Sequence, residues 1–164
     1  MNRRLMTILA LAAALLSSSA AWAAQDTTQD AQVLAPIKAA LDAAQTGDIK
    51  TMQAQYLPGC TFVDEFAPFL WQGKGSMQAY FTSAAEMYKE TGMSGTKVTR
   101  GTPKYAYVSG MSAYVVIPLD VTAQAKGKPY HATGSLVFTL QKTAADWKIA
   151  TQTWTKDTES LDPY

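Results

Sequence analysis

GDIKTMQAQYLPGCTFVDEFAPFLWQG, residues 47–73, is the stretch on which the fold turns. Gly47 is placed to end one helix, and Asp48 can cap the next by accepting from backbone N–H groups. Ile49, Met52 and Tyr56 form an apolar stripe, which Pro58-Gly59 stops. A strand is then predicted over Cys60–Phe66, Ala67-Pro68 reads as a bend, and Phe69–Gln72 is a short return strand closed by Gly73. Strand side chains alternate between two faces, so Phe62, Asp64 and Phe66 share one face while Val63 and Glu65 share the other. An acid is thereby set among aromatics. If that face is buried, the carboxylate loses hydration and its pKa rises toward the range useful for proton transfer; if Asp64 lies at the strand rim, it stays solvated.

Upstream, Val33, Leu34, Ile37, Leu41 and Ala44 recur at helical spacing, with Pro36 tolerable in a first turn. Downstream, Met77, Tyr80, Phe81, Ala84, Ala85 and Tyr88 fall on one helical face behind a Ser76 cap. After Gly92 the pattern turns to β, with strands predicted at Gly95–Arg100, Lys104–Ser109, Ser112–Thr122, Tyr130–Gln141 and Trp147–Trp154. Short connections between neighbouring strands imply antiparallel pairing. Helices at the front and strands at the back imply an α+β domain with its helices on one face of a curved sheet, which can close around a pocket.

The first 23 residues read as a secretory signal: Arg3 and Arg4, an apolar run from Leu5 to Leu16, and a small-residue cleavage site at Ala21-Trp22-Ala23. The run is too short to span a bilayer. A periplasmic or secreted protein starting near Ala24 is expected, without a membrane anchor, because Cys60 lies far from the new N-terminus. Residues 24–32 read as a flexible leader, 33–156 as one domain and 157–164 as a C-terminal tail. A remainder of about 140 residues can bury a core without disulfides. Cys60, the single cysteine, is read as a small buried residue. Cleavage removes Arg3 and Arg4 from 14 Lys and Arg set against 13 Asp and Glu, leaving one net negative charge and nothing that recruits nucleic acid.

One histidine, His131, cannot build a multi-histidine metal site, and no metal is expected. It reads as a rim or surface group, and Asp120 as a solvated strand end. No Ser/His/Asp order, phosphate loop or dinucleotide fingerprint is present, so no cofactor is expected. Asp64 can supply a general base; candidate donors for a developing oxyanion are Tyr56, Tyr80, Tyr105, Tyr107 and Tyr114. Phe62, Phe66, Trp71, Tyr80, Phe81 and Tyr114 are the candidate pocket residues, suited to a flat, apolar ligand and equally to core packing.

With this order of elements, the mature length resembles the NTF2-like superfamily, in its SnoaL-like and ketosteroid-isomerase-like branch. Gly47-Asp48, the stripe to Tyr56, Asp64 and Gly73 match the isomerase pattern without a gap, and Trp147-Lys148-Ile149 to Trp154 is similar to the SnoaL-like closing strand. The resemblance implies a cone-shaped α+β fold, Asp64 as a candidate catalytic base and Tyr56 as a candidate donor. It also implies homodimers that pair through the outer sheet face. The chain departs from the pattern where the isomerase oxyanion hole has a tyrosine and a protonated aspartate; the aligned residues are Ala40 and Leu136. Thr151 and Thr153 stand where many SnoaL-like proteins carry histidines. Two functions are therefore weighed: an exported protein whose apolar pocket binds a small hydrophobic molecule, with Asp64-dependent, isomerase-like proton transfer as its chemistry, or a non-catalytic dimerisation or protein-interaction module.

Overall fold

The structure, a computed structural model, describes residues 27–161. The export segment read at 1–23 and the last three residues of the chain lie outside them. Helix α1 (Thr27–Thr46) starts well before Val33, so the described part of the leader is helical rather than loose. Pro36 accordingly sits inside the helix, where it offers no N–H to the preceding turn. Val33, Ile37, Ala40 and Ala43 form the buried face, and Gly47, at φ 73°, ends the helix.

Asp48 caps α2 (Ile49–Gln53) as expected, its side chain accepting from the Thr51 N–H at 3.0 Å. The helix is only one turn long. Ile49 is 48% exposed and Tyr56 opens a strand, so Met52 alone carries the buried stripe. Strand β1 (Tyr56–Val63) thus begins earlier than Cys60 and absorbs Pro58-Gly59 as a break in its register against the last strand. It ends just before Asp64. β2 (Leu70–Trp71) returns antiparallel to it, placing Trp71 opposite Phe62.

Helix α3 (Ser76–Thr91) follows, with Gly75 rather than Ser76 at its N-cap. The Ser76 hydroxyl is buried and donates to the Cys60 carbonyl at 2.5 Å, pinning the helix start to β1. Cys60 itself is buried. The remaining strands are β3 (Met93–Arg100), β4 (Tyr105–Ser109), β5 (Ser112–Ala125), β6 (Lys128–Lys142) and β7 (Trp147–Leu161). They form one seven-stranded sheet in the order β2-β1-β7-β6-β5-β3, with β4 sharing the free edge of β5. β7 runs on through residues read as a tail, because Lys156 to Leu161 keep pairing with β6.

All pairings are antiparallel except one: β1 lies parallel to β7. The apolar core runs in rows across the face that the helices cover. One row is Trp71, Phe62, Gln152, Phe138 and Val115, in register across β2, β1, β7, β6 and β5. Phe62, Phe138 and Val115 are essentially inaccessible, and truncating a buried Phe to Ala typically costs about 3–5 kcal/mol. The opposite face carries Tyr105, Tyr107 and Tyr114, all at least 41% exposed.

Candidate active site

Asp64 stands at the point where β1 ends and the chain turns toward β2. Its backbone N–H is held by the Phe69 carbonyl at 3.2 Å. The carboxylate accepts from the Tyr80 hydroxyl at 2.8 Å through Oδ2 and from the Glu65 N–H at 2.8 Å through Oδ1. Burial pushes its pKa above the ordinary 3.8; the two hydrogen bonds pull the other way without cancelling that effect. A carboxyl raised in this way is a stronger base once ionised. Tyr80, partly buried against the core, has a pKa raised first by desolvation and then by the Asp64 charge, so it stays a neutral donor.

Aromatic packing fixes this pair. Tyr80 stacks on Phe62 with centroids 4.6 Å apart and planes at 9°, and meets the Trp71 edge at 5.1 Å. Phe66 closes the other side, 5.7 Å from Tyr80 and 5.1 Å from Trp71. The spacing of Tyr80 along α3, sixteen residues on from Asp64, is what brings its hydroxyl to the strand end.

The pair borders a cavity of about 740 Å³ between α1, α3 and the concave face of β3, β5, β6 and β7, a size within the range of small-molecule sites. Its walls are mainly apolar, with Leu41 from α1, Met87 from α3, Leu119 from β5, and Leu136 and Trp154 from β6 and β7. Polar groups gather at two places. One is the Asp64–Tyr80 corner, next to which Lys156 bridges Glu65 at 3.0 Å and Glu159 at 2.5 Å. The other is Arg100 on β3, which meets Asp42 of α1 at 2.6 Å, while Lys38 meets the other oxygen of Asp42. Gly134 lies between them in the sheet, in the row Arg100, Leu119, Gly134, Lys156. A Cβ at Gly134 would come within 2.2 Å of the Thr155 carbonyl oxygen and 2.5 Å of the Trp154 ring, so only glycine lets that indole lie across β6.

Of the residues expected in the pocket, Phe66 and Tyr80 line it. Phe62 and Trp71 are buried behind them and support the wall without facing the cavity. Phe81 borders a separate shallow depression on α3, because it falls on the next flank of the helix from Tyr80. Tyr114 faces outward on the convex side, opposite Tyr107, since its parity on β5 is opposite to that of Val115. Tyr56 is buried, does not border the cavity, and donates its hydroxyl to Gln152 Oε1 at 2.5 Å. Ala40 is packed in the core and Leu136 is in the cavity wall, so neither position offers a hydrogen-bond donor.

Gln152, Trp154 and Arg100 border the cavity without being among the pocket residues expected from the sequence. The alternation Thr151, Gln152, Thr153, Trp154 carries the signal for two of them, because a face that holds the large apolar Trp154 also holds Gln152. Outside the site, His131 is exposed on the convex face, 2.8 Å from Asp120. Among the described residues no group of three or more His, Cys, Asp or Glu is arranged to hold a metal ion, and no helix is long and apolar enough to cross a membrane.

The same architecture occurs in solved structures. A ketosteroid isomerase-like protein from Erwinia carotovora atroseptica is 23% identical, with a TM-score of 0.63 over 78% of this chain and 95% of that one. An NTF2-like superfamily protein from Salmonella enterica serovar Typhimurium is 16% identical, with a TM-score of 0.64 over 85% of this chain and 98% of that one. The CaMKII hub of S. rosetta is 20% identical, with a TM-score of 0.62 over 77% and 95%. Among curated proteins, none matches the chain. The fold is thus the NTF2-like α+β cone, helices packed on a curved and mostly antiparallel sheet. The family model for the SnoaL-like domain matches residues 33–153, nearly the whole described chain, and the protein belongs to the SnoaL-like family.

Proposed function

We propose that this is an exported protein whose cavity binds a small, flat, apolar molecule, and that Asp64 moves a proton on that molecule in an isomerase-like reaction. The observation that carries this reading is the Asp64–Tyr80 pair at the wall of a largely apolar cavity of about 740 Å³. Ionised Asp64 takes a proton from a carbon made acidic by a neighbouring carbonyl and returns it to another carbon of the same molecule, so the enzyme ends unchanged. Tyr80 holds the carboxylate in place and, as a neutral donor, stabilises its charged form.

A thermal-shift screen of flat apolar compounds against the mature protein tests the binding step, because a ligand that binds only the folded state raises its melting temperature. Hits that still shift Asp64→Asn but undergo solvent deuterium exchange only with the wild type support the chemistry. Binding without exchange in either protein removes the proton-transfer step. Export rests on Arg3, Arg4, the Leu5–Leu16 run and Ala21-Trp22-Ala23; intact mass of the secreted product should begin near Ala24, and full-length protein in the cytoplasm overturns it.

The convex sheet face supports pairing with a second copy. Leu70, Val63, Tyr105, Tyr107 and Tyr114 are exposed there, and Val116 and Val137 lie in register between them. Light scattering at high micromolar concentration should give a dimer, and Tyr107→Glu with Tyr114→Glu should give a monomer. A monomeric wild type refutes the pairing.

A further inference from the structure

The row Trp71, Phe62, Gln152, Phe138, Val115 holds one polar side chain among buried apolar ones. An amide in such a row is unfavourable unless its groups are satisfied or used. Its carbonyl oxygen is satisfied, by the Tyr56 hydroxyl at 2.5 Å. That bond also fixes which way the amide points: Tyr56, buried beside Phe62 with ring centroids 5.5 Å apart, takes Oε1 on the core side, and the NH₂ end is left for the cavity that Gln152 borders. No hydrogen-bond acceptor for Nε2 is found among the described residues, and Nε2 is not a sealed orphan in the protein interior. With Oε1 taken by Tyr56, the NH₂ is read as a donor available to the cavity, the open space that Gln152 borders.

Its position relative to Asp64 follows from the register. Gln152 pairs with Phe62 across the parallel β1–β7 ladder, and Asp64 is two residues beyond Phe62 on the same face. One strand spacing and two residues of rise separate the two backbones by about 8 Å, a gap that two inward-pointing side chains and one small functional group fill. The two groups are complementary in kind, since ionised Asp64 only accepts and the Gln152 NH₂ only donates.

We propose that Gln152, oriented by Tyr56, is the donor that holds a carbonyl oxygen of the cavity's ligand, so that the carbon next to that carbonyl faces Asp64. This rests on the apolar-ligand reading above and narrows it: the ligand is an apolar molecule bearing a ketone or comparable carbonyl, and Gln152 replaces the donors absent at Ala40 and Leu136. As the proton passes to Asp64, the electron pair left on carbon moves onto the carbonyl oxygen, and the Gln152 N–H bond to that oxygen strengthens with the charge. Tyr56 is then a positioning residue, acting through the amide it holds.

The probe is 2-acetylnaphthalene carrying ¹³C at its carbonyl, compared with 2-ethylnaphthalene, which has the same shape and no acceptor. The wild type should bind the ketone about tenfold more tightly than the hydrocarbon, the effect of one hydrogen bond, and the infrared carbonyl stretch of the bound ketone should lie below its position in hexane. Gln152→Met should remove both the tenfold preference and the shift in the stretch while still binding the hydrocarbon. Tyr56→Phe should broaden the stretch, because the amide is free to turn. Should Gln152→Met not fold, the wild-type stretch decides: a bound carbonyl at its hexane frequency overturns the proposal. Equal binding of both compounds overturns the role of Gln152 and leaves the apolar cavity standing, whereas failure of the wild type to bind either compound overturns both.

Discussion

Asp64 lines the cavity while Asp42 clips Arg100 of its wall, and their surroundings move the two carboxyl groups in opposite directions. Asp64 is desolvated and faces a neutral tyrosine and a backbone amide, so its pKa is raised above 3.8. Asp42 stands at the open rim between Lys38 and Arg100, whose hydrogen bonds hold its pKa below 3.8. A carboxylate matched with cations in water is a structural clip. One hydrogen-bonded to neutral donors and desolvated among aromatic rings retains its basicity, which suits it to proton transfer.

The largest expected break in this comparison is in activity. Asp64→Asn should lower Asp64-dependent deuterium exchange of a bound ketone by a factor of about 10² to 10⁴, while Asp42→Asn leaves the exchange rate unchanged; equal losses in the two variants would erase the distinction. Next comes Gly134, in the row between the two corners. Gly134→Ala should destabilise the fold by about 3 kcal/mol in urea titration, because the new methyl meets a backbone oxygen and an indole that cannot both retreat. A neutral result would mean that Trp154 does not lie across β6. Tyr80→Phe should cost about 1–2 kcal/mol, and carboxyl-carbon NMR should then show Asp64 titrating higher still, since the bond that held it down is gone.

The smallest effect is the pH dependence of stability, where the two aspartates carry opposite signs. Between 3.8 and the raised pKa of Asp64 the native state binds more protons than the unfolded state, so this group's contribution falls as pH climbs through that window. Between the lowered pKa of Asp42 and 3.8 the unfolded state binds more protons, so its contribution is lost as pH falls through that window. Denaturant midpoints measured from pH 3 to 6 should rise with pH less steeply in Asp42→Asn, and more steeply in Asp64→Asn, than in the wild type. Identical slopes in all three proteins would refute both assignments.

How much of this was legible depended on the range of the interaction. Helix ends were marked by local chemistry: Gly47 must take a positive φ and Asp48 offers its own cap, so both were readable. Asp64 was readable because strand alternation is also local, and Tyr80 because helical spacing put it on the inward face. The start of β1 was misread, since Ile49, Met52 and Tyr56 satisfy helical spacing and only pairing with Ile149 makes Tyr56 a strand residue. Ser76 has the chemistry of a cap, yet burial against Cys60 gives its hydroxyl a different partner. Tyr114 is a pocket candidate in the sequence yet lies on the convex face, because an apolar strand gives no sign of which side the helices will cover. Gln152 and Arg100 are polar residues that composition assigns to the surface, and only cross-strand register brings them to the cavity.

The single parallel pairing is the most non-local contact of the sheet. Tyr56 and Gln152 are 96 residues apart in sequence, and β1 has no strand partner on its inner edge until β7 arrives. Loop closure over such a span opposes early contact, and chains rich in non-local pairing fold slowly. The β5–β6 and β6–β7 hairpins can form first, leaving the aromatic strand and its acid waiting on the far side of a gap. The cavity wall is therefore complete only once the last strand is in place, and a chain released without residues beyond Asp146 would present Phe62 and its neighbours as an unpaired edge open to association with other chains.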